Sequence, residues 1–324
     1  MVIVVGQNSA WQKTYWLGSI TRGAVNRIAE VKESAAGKGS NACRVLVRYG
    51  VPHELHAYVG GANGQKFAAA CRADGITLRS TEIERETRTC TTLIEEPDSV
   101  MTELTEPAPP ISSAERDRGH ALLFGRVGRA SMLAICGTAM TGETDDCYRS
   151  FVAAAREVAV PVILDSYHTH GRLALEAGPE ILKINREEFA ELTGMPVDSL
   201  AERVAAYRSL IARYGLRWIV ITHGSRGAEG FNGSAVVRVS PPAVTAVNPI
   251  GSGDSAAGGI IASVHRSGNS FHQRLTDADL LRAAVVEGVS AGTANCMNRK
   301  PGHVEPADLD WVRAHCSVET QRIE

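Results

Sequence analysis

Short apolar runs alternate with amphipathic helical stretches along most of this chain, and that order limits the folds open to it. Runs typical of buried strands occur at residues 2–5, 55–59, 133–136, 162–164, 181–184 and 218–222. Stretches with helical periodicity lie between them, at residues 64–74, 144–158, 186–193 and 200–214. Parallel strands have to be joined by crossover connections, which are usually helices. The alternation therefore predicts an α/β fold with a central, mostly parallel sheet and helices on both faces.

Two segments depart from this alternation. Residues 11–33 and 86–106 are rich in threonine and β-branched side chains, which favours short antiparallel strands over crossover helices. We expect these segments to form a small β-sheet lid. The remaining residues, 1–10, 34–85 and 107–324, are expected to form the main α/β domain.

The motif NPIGSGD occupies residues 248–254, between a valine-rich, strand-like segment at 236–247 and a buried helix expected over 255–264. A Gly-x-Gly turn at a helix start leaves backbone N–H groups unpaired, and the helix dipole adds positive charge, so the turn can hold an anion. Asp254 beside it could accept a proton from an attacking hydroxyl. An anion cup with an adjacent base is what phosphoryl transfer to an alcohol requires. The simpler alternative is a tight turn with Asp254 as a helix cap.

A second glycine loop, AAGKGSN, occupies residues 35–41 and leads into a helix expected over 42–49. It is not a P-loop, because glycine follows Lys38 where a P-loop has a serine or threonine that binds magnesium. The glycines would let a ligand approach the backbone, and Asn41 can donate and accept hydrogen bonds with sugar hydroxyls. The alternative is a flexible basic turn. Arg44, on the following helix, is expected to be solvated.

Two further turns follow strand-like runs. Asn185 and Glu188 lie three residues apart at the start of a helix, so they share one face and could hold a hydrated magnesium ion through water. The local alternative is an N-cap with a capping-box glutamate. After the run at 218–221, the segment THGSRG (222–227) forms a glycine turn.

Composition narrows the class of protein. The formal net charge of −2 gives no electrostatic footprint for nucleic acid or an anionic membrane, and no apolar run is long enough to span a bilayer. The seven cysteines include no C-x-x-C pair, which argues against a disulfide framework and against a zinc site. A reducing, cytoplasmic location is expected.

In their order and spacing, the GKGSN loop, the Asn-x-x-Glu pair, the Gly-x-x-Gly turn and the late GSGD resemble the ribokinase-like (PfkB) sugar kinase family over nearly the full chain. The resemblance is closest to the 1-phosphofructokinase and tagatose-6-phosphate kinase branch, through Asn8, the string VNRIAE at 25–30, Thr87-Arg88 and the string VNPIGSGD at 247–254. It implies a three-layer sandwich with a small β-sheet lid.

The resemblance also implies roles for individual residues. Asp254 would be the general base, and the backbone of Gly251, Ser252 and Gly253 would complete the anion hole. Nucleotide binding would fall to Lys183, Asn185, Glu188, Thr222, Gly224, Gly227 and, near adenine, Asn295. Asn185 and Glu188 would position Mg²⁺ through water. The sugar would be held by Gln12, Arg27, Gly37, Lys38, Gly39, Asn41 and Arg88, with Arg88 the best match for gripping a sugar phosphate.

The chain departs from the family pattern at Gln12, which stands where the family usually has an aspartate that binds a sugar hydroxyl. The resemblance implies an ATP- and Mg²⁺-dependent kinase of a ketohexose phosphate: fructose 1-phosphate, fructose 6-phosphate or tagatose 6-phosphate. A homodimer formed through the lid is expected. Two alternatives stay open: a kinase of a free sugar or nucleoside, and a non-catalytic sugar-binding regulator of the same fold.

Overall fold

The computed structural model describes residues 1–96, 100–194, 198–268, 271 and 274–323. Its largest element is a ten-stranded sheet. The strands are β1 (Val2–Val5), β4 (His53–Val59), β5 (Leu78–Glu82), β8 (Met132–Cys136), β9 (Val162–Asp165), β10 (Ile181–Asn185), β11 (Trp218–Thr222), β12 (Ala228–Phe231), β13 (Ala235–Ser240) and β14 (Ser317–Arg322). Strands β5, β4, β1, β8, β9, β10 and β11 are parallel neighbours in that order, and β12, β13 and β14 continue from β11 in antiparallel pairs. The predicted mostly parallel sheet is confirmed; the alternation did not indicate its antiparallel edge.

Helices cover both faces of this sheet. They are α1 (Lys38–Arg48), α2 (Gly61–Ala73), α3 (Ser113–Val127), α4 (Cys147–Glu157), α5 (Thr169–Glu176), α6 (Arg186–Thr193), α7 (Leu200–Tyr214), α8 (Ser252–Arg266), α9 (Ala278–Cys296) and α10 (Pro306–His315). Because side chains alternate across a strand, Val2 and Val4 of β1 face one core, with α1, α2, α8 and α9, while Ile3 and Val5 face a second core with α3 to α7. The layers are those of an α/β sandwich.

A small four-stranded sheet contains the two segments that broke the alternation. Its strands are β2 (Ala10–Leu17), β3 (Glu30–Ala36), β6 (Thr89–Glu95) and β7 (Val100–Thr105), in the order β3-β2-β6-β7. The outer pairs are antiparallel, as expected, but the central pair β2–β6 is parallel. Each of these two strands follows a strand of the main parallel sheet, so both leave that sheet in the same direction.

The start of α8 differs from the expectation in two ways. Only residues 235–240 of the valine-rich segment form a strand, because Pro241 and Pro242 follow and proline has no N–H for the sheet ladder. The helix begins at Ser252 instead of 255, directly after Gly251, whose φ of 76° is left-handed. Asp254 therefore lies within the first helical turn.

Three polar residues lie at the carboxyl ends of neighbouring strands of the main sheet. Asp165, Asn185 and Thr222 are the last residues of β9, β10 and β11, and Asn185 is directly paired with Thr222. Ligand sites in open α/β sheets lie at the carboxyl ends of the strands. No helix in the described part of the chain has the length and hydropathy needed to cross a membrane.

Candidate active site

Asp254 and the 37–41 loop meet directly, although the chain separates them by more than 200 residues. The side-chain N–H of Asn41, on α1, donates a hydrogen bond of 2.8 Å to Oδ2 of Asp254, on α8. Burial raises the pKa of Asp254 and the charge of Asp165 adds to the rise; the nearby Lys38 ammonium and the Asn41 bond work against it, and the net direction is upward. A base with a raised pKa is a stronger proton acceptor than an ordinary aspartate.

The turn before α8 presents backbone donors beside this carboxylate. The backbone N–H of Ser252 donates a hydrogen bond to the carbonyl of Pro249 at 3.2 Å. In the described residues, the N–H groups of Gly251, Gly253 and Asp254 have no acceptor. The helix has no side-chain cap, so capping is not the role of the Asp254 carboxylate. Three unpaired amides at a helix N-terminus form a site suited to an anion.

The carboxylate of Asp165 lies between two lysines. Its Oδ1 is 3.1 Å from Nζ of Lys38, and its Oδ2 is 2.8 Å from Nζ of Lys183. Burial alone would raise the pKa of Asp165, but the two ammonium groups outweigh it and the pKa is lowered. Burial likewise opposes the charge of Lys38, yet Asp165, Asp254 and Glu188 raise its pKa above the ordinary value. Lys38, expected at the sugar, is thus held by carboxylates at the sheet edge.

The glycines of the 37–41 loop permit a close approach of two backbones. A Cβ on Gly39 would lie 2.7 Å from Cα of Gly6, at the end of β1, which is too close for any side chain. Gly37 has a φ of 117°, a conformation that favours glycine. The predicted bounds of this segment are wrong: residues 35 and 36 end β3 and α1 begins at Lys38 instead of 42, so most of the 37–41 loop is the first turn of a helix. It packs against the end of β1, and the flexible-turn alternative does not describe it.

Asn185 and Glu188 form the capping box at the start of α6. The backbone N–H of Glu188 donates to Oδ1 of Asn185 at 2.8 Å, and the N–H of Asn185 donates to Oε2 of Glu188 at 2.9 Å. The local alternative is thus confirmed, but it does not use the whole carboxylate. The second oxygen of Glu188, Oε1, lies 3.7 Å from Nζ of Lys38. The capping box and a site for a metal-bound water are therefore compatible.

A cleft of about 640 Å³ opens beside the unpaired amides. It brings together Thr222, Gly224, Gly227, Ser252 and Gly253, all expected at the nucleotide or the transferred phosphate. Most of its wall is apolar, and is formed by Pro241, Pro242, Ala243, Val244 and Ala246 with Gly288, Val289 and Gly292 of α9. This is the lining expected of a pocket for a flat, largely apolar ring.

Asn295 occupies a different place from the expected contact with adenine. It is fully buried, and its Nδ2 donates to the carbonyl of Ile250 at 2.8 Å and to Oγ of Ser252 at 3.0 Å. Its Oδ1 accepts from the N–H of Gly302 at 2.6 Å. The amide therefore supports the anion-binding turn from behind. Thr293 and Cys296, its neighbours on α9, line the cleft instead.

The expected sugar-binding residues of the small sheet make their polar contacts within that sheet and its loops. Gln12 is buried, and its Nε2 donates to Oγ1 of Thr92 at 2.8 Å. Arg88 donates from Nη1 to the carbonyl of Glu106 at 2.9 Å. Arg27 is exposed on the loop between β2 and β3. Among the described residues, none of these three side chains has a hydrogen bond or ion pair to Asp254 or to the 37–41 loop.

One contributor to the site was misjudged from the sequence. Arg44 was expected in solvent but is only 5% exposed. Its Nη1 donates to Oδ1 of Asn41 at 2.8 Å, and its Nε donates to Oδ2 of Asp74 at 2.7 Å. By engaging the oxygen of the Asn41 amide, Arg44 directs the nitrogen toward Asp254. The i, i+3 spacing of Asn41 and Arg44 on one helix was the available signal.

Comparison with known proteins agrees with this arrangement. The family model of the pfkB family carbohydrate kinases matches residues 1–297. The chain belongs to the pfkB family of carbohydrate kinases. Members of this family are phosphotransferases that act on an alcohol group of a carbohydrate and generally use ATP and Mg²⁺. The resemblance inferred from the four motifs is confirmed.

Solved structures of other sugar and sugar-phosphate kinases share the fold of this pfkB chain. Phosphofructokinase-2 from Escherichia coli, in complex with substrates and products, gives a TM-score of 0.88 at 19% identity, covering 97% of this chain and 98% of that one. A protein of Thermotoga maritima described as a possible 1-phosphofructokinase gives 0.83 at 18% identity, covering 100% and 99%. Ribokinase of Arabidopsis thaliana, complexed with ribose and ATP, gives 0.72 at 17% identity, covering 96% and 98%. The ribokinase-like fold is therefore confirmed.

Proposed function

We propose that this pfkB kinase transfers the γ-phosphate of ATP to a hydroxyl of a ketohexose phosphate: fructose 1-phosphate, fructose 6-phosphate or tagatose 6-phosphate. The observation that carries the proposal is the 2.8 Å bond between Asn41 and Asp254. This bond brings together the Asp254 carboxylate, whose pKa is raised, the three unpaired backbone amides beside it, and the 37–41 loop that is expected to bind the sugar. A hydroxyl bound there has a base on one side and an anion site on the other.

In the proposed reaction, Asp254 takes the proton of the attacking hydroxyl. The amides of Gly251, Gly253 and Asp254 receive the charge of the transferring phosphoryl group. Such fixed donors are effective because they need no reorganisation when the charge develops. Gly37, Gly39 and Asn41 hold the sugar, as the resemblance implies.

ATP is proposed to occupy the 640 Å³ cleft, with its base against the apolar wall and its phosphates toward α8. Lys183 and Lys38 supply positive charge at the phosphate end, where Asp165 fixes both ammonium groups. Glu188 Oε1 and Asn185 fit a hydrated Mg²⁺, since magnesium prefers oxygen ligands and retains several waters. The bound ion would neutralise phosphate charge.

Arg88 favours a substrate that already carries a phosphate. Its Nη1 has a carbonyl partner, but its Nε is buried and has no hydrogen-bond partner among the described residues. A buried guanidinium donor without a partner is costly, and a phosphate oxygen would satisfy it with a charge-assisted bond. Arg27 and Lys38 are further candidates for that phosphate. Gln12, with an amide in place of a carboxylate, leaves the identity of the sugar to experiment.

The small sheet, defined by β2, β3, β6 and β7, is proposed to close over the sugar and exclude water, which would limit wasteful hydrolysis of ATP. Val31, Val100 and Leu104 expose apolar side chains on one face of it. An apolar face of this kind suits pairing with a second copy, and we propose a homodimer through the small sheet. A monomer found by light scattering at assay concentration contradicts that part of the proposal. All seven cysteines are free thiols, in keeping with the proposed cytoplasmic location.

The direct test is Asp254→Asn, assayed with MgATP against a panel of free sugars, nucleosides and sugar phosphates. We expect kcat to fall about 100- to 10,000-fold, the range for loss of a general base, with the KM for ATP little changed. Asp279→Asn is the matched control, because Asp279 is an exposed aspartate in the first turn of α9. If the Asp254→Asn variant keeps the activity of the wild type, Asp254 is not the general base. Binding of sugars with no turnover by the wild type supports the regulator alternative.

The choice between a phosphosugar and a free sugar is tested by Arg88→Ala. A larger loss of kcat/KM on sugar phosphates than on free sugars supports the phosphosugar proposal. Arg85→Ala is the control, since Arg85 is an exposed arginine three positions away. Faster wild-type turnover of free sugars or nucleosides than of any sugar phosphate favours the alternative kinase.

A further inference from the structure

A second, smaller cavity lies on the far side of the glycine turn that borders the nucleotide cleft. Its volume is about 230 Å³, and it is lined by Arg186, Arg203, Arg226, Arg238 and His223, with Asp198, Glu229, Ala228, Val239 and Ser240. Ala228 lines both cavities. The proposed kinase reaction uses none of these arginines, so their convergence needs another explanation.

A buried carboxylate holds two of the arginines in place. Glu229 is only 2% exposed and accepts hydrogen bonds from Nε and Nη2 of Arg203, at 3.0 and 3.2 Å, and from Nε of Arg238 at 2.6 Å. Tyr207 donates a fourth, at 2.8 Å. Burial alone would raise the pKa of Glu229, but the bonds from these three side chains outweigh it and the pKa is lowered. The guanidinium groups are therefore fixed before any ligand arrives, which reduces the entropy cost of binding.

Donors are left over after these contacts. Within the described residues, the two Nη groups of Arg238 have no hydrogen-bond partner, and the side chain of Arg226 has neither a hydrogen bond nor an ion pair. In the described ranges, the side chain of Arg186 pairs with Asp198 alone, and Asp198 is 86% exposed. Four arginines against two carboxylates give the lining a net charge of +2 when His223 is neutral. Unpaired arginine donors converging on one cavity form a site for an anion.

We propose that this cavity, the arginine pocket, binds a small phosphorylated metabolite at a site separate from the catalytic cleft. Guanidinium groups match phosphate because each can donate two parallel hydrogen bonds to it. The volume is below the roughly 300–1,000 Å³ of pockets that enclose drug-sized ligands, so the pocket suits one or two phosphate groups on a short carbon skeleton and excludes a nucleotide. Binding at this pocket does not depend on which sugar the enzyme phosphorylates.

The test is calorimetric titration of the intact protein with pyrophosphate and with inorganic phosphate. The titration is made in saturating MgADP, so that the catalytic anion site is already occupied. We expect pyrophosphate to bind, and its affinity to fall at least tenfold in Arg238→Gln and in Arg226→Gln, which corresponds to about 1.4 kcal/mol. The control is Arg322→Gln, which removes the same charge from an exposed position on the neighbouring strand β14. It should change the affinity less than twofold.

Three results overturn the proposal: no pyrophosphate binding to the wild type, an equal loss of affinity in Arg322→Gln, or unchanged affinity in both pocket variants. A melting curve of each variant without ligand shows whether it is folded. Arg226→Gln is informative on this point, because the side chain of Arg226 makes no hydrogen bond or ion pair within the described residues and its loss should leave the fold intact.

Discussion

Replacing Asp165 by asparagine tests whether the charge cluster at the sheet edge is as tightly coupled as the contacts indicate. Asp165 is 1% exposed and Lys183 is 3% exposed, so the substitution leaves a buried ammonium group without its 2.8 Å counter-ion. Removing one partner of a buried ion pair costs about 3–5 kcal/mol. The side chain of Lys38 is 35% exposed, and solvent screens its pair with Asp165, so that pair adds nothing to the expected loss of stability. At roughly 2 °C per kcal/mol for a chain of this size, the Tm should fall by about 6–10 °C.

The assay is thermal unfolding at several pH values, with Asp117→Asn as the charge-matched control. Asp117 is 69% exposed and paired with Arg116, so its loss should change the Tm by less than about 2 °C. The pKa of Asp165 is lowered in the folded protein, so its contribution is present above the ordinary aspartate pKa and is lost as the pH falls through the lowered one. The Tm difference between wild type and Asp165→Asn should therefore narrow on acidification. A Tm within 2 °C of wild type at neutral pH refutes the reasoning.

Asp165→Asn also has a kinetic consequence of definite sign. The negative charge of Asp165 contributes to the raised pKa of Asp254, after burial. Without that charge the pKa of Asp254 should fall, and the acid limb of the profile of kcat/KM against pH should move to lower pH. A shift in the opposite direction contradicts the assignment of Asp254 as the titrating base.

Three further predictions concern single contacts. Glu188→Gln should raise the Mg²⁺ concentration for half-maximal rate about tenfold. Glu202→Gln, in the equivalent capping box of α7, is the control, because glutamine preserves the cap in both variants and only the metal site differs. Equal effects of the two substitutions contradict the metal role of Glu188. Gly251→Ala should lower both the Tm and kcat, since its φ is +76° and the new Cβ would lie 3.0 Å from the side-chain nitrogen of Asn41. Gly268→Ala is the control, because its φ is +60° and the new Cβ would meet no atom of the described residues within 4 Å. It should lower only the Tm, through the ~1–2 kcal/mol that a left-handed conformation costs a residue other than glycine. Asn41→Ala removes a bond that lowers the pKa of the base, so the acid limb of kcat/KM should move to higher pH, and an unchanged profile refutes that coupling.

Local periodicity predicted the secondary structure of the main sheet well. Residues 2–5 and 218–222 are strands and residues 186–193 and 200–214 are helices, with the predicted bounds. In the helices, apolar residues at the helical period report burial of one face, and in the two strands a continuous apolar run reports burial on both faces of the sheet. The predicted strand-like segment at 236–247 is too long, because its valines continue past Pro241 and Pro242, where the strand has already ended.

The contacts that assemble the site could not be read from local pattern. Lys38 and Asp165 are distant in the chain, and only the sheet topology brings β9 beside the 37–41 loop. Arg44 was misjudged because charged residues are usually exposed, and its buried partner Asp74 is 30 positions away. Asn295 was placed by analogy in the cleft, whereas the close packing of α8 against α9 turns its amide toward the anion-binding turn.

The charges at the sheet edge suggest how base and anion site act together in the proposed reaction. Lys38 and Lys183 carry two positive charges, and Asp165, Asp254 and Glu188 carry three negative ones, so the group has a formal charge of −1 before the proton moves. When Asp254 takes the proton of the sugar hydroxyl, the formal charge of the group rises by one, from −1 to zero. That added charge appears beside the unpaired amides of α8 while the phosphoryl group is in transfer, so deprotonation of the acceptor itself strengthens the field that stabilises the transferring phosphate. The coupling between proton transfer and phosphate stabilisation depends on Asp165, because Asp165 holds both ammonium groups at the sheet edge, next to Asp254 and the amides.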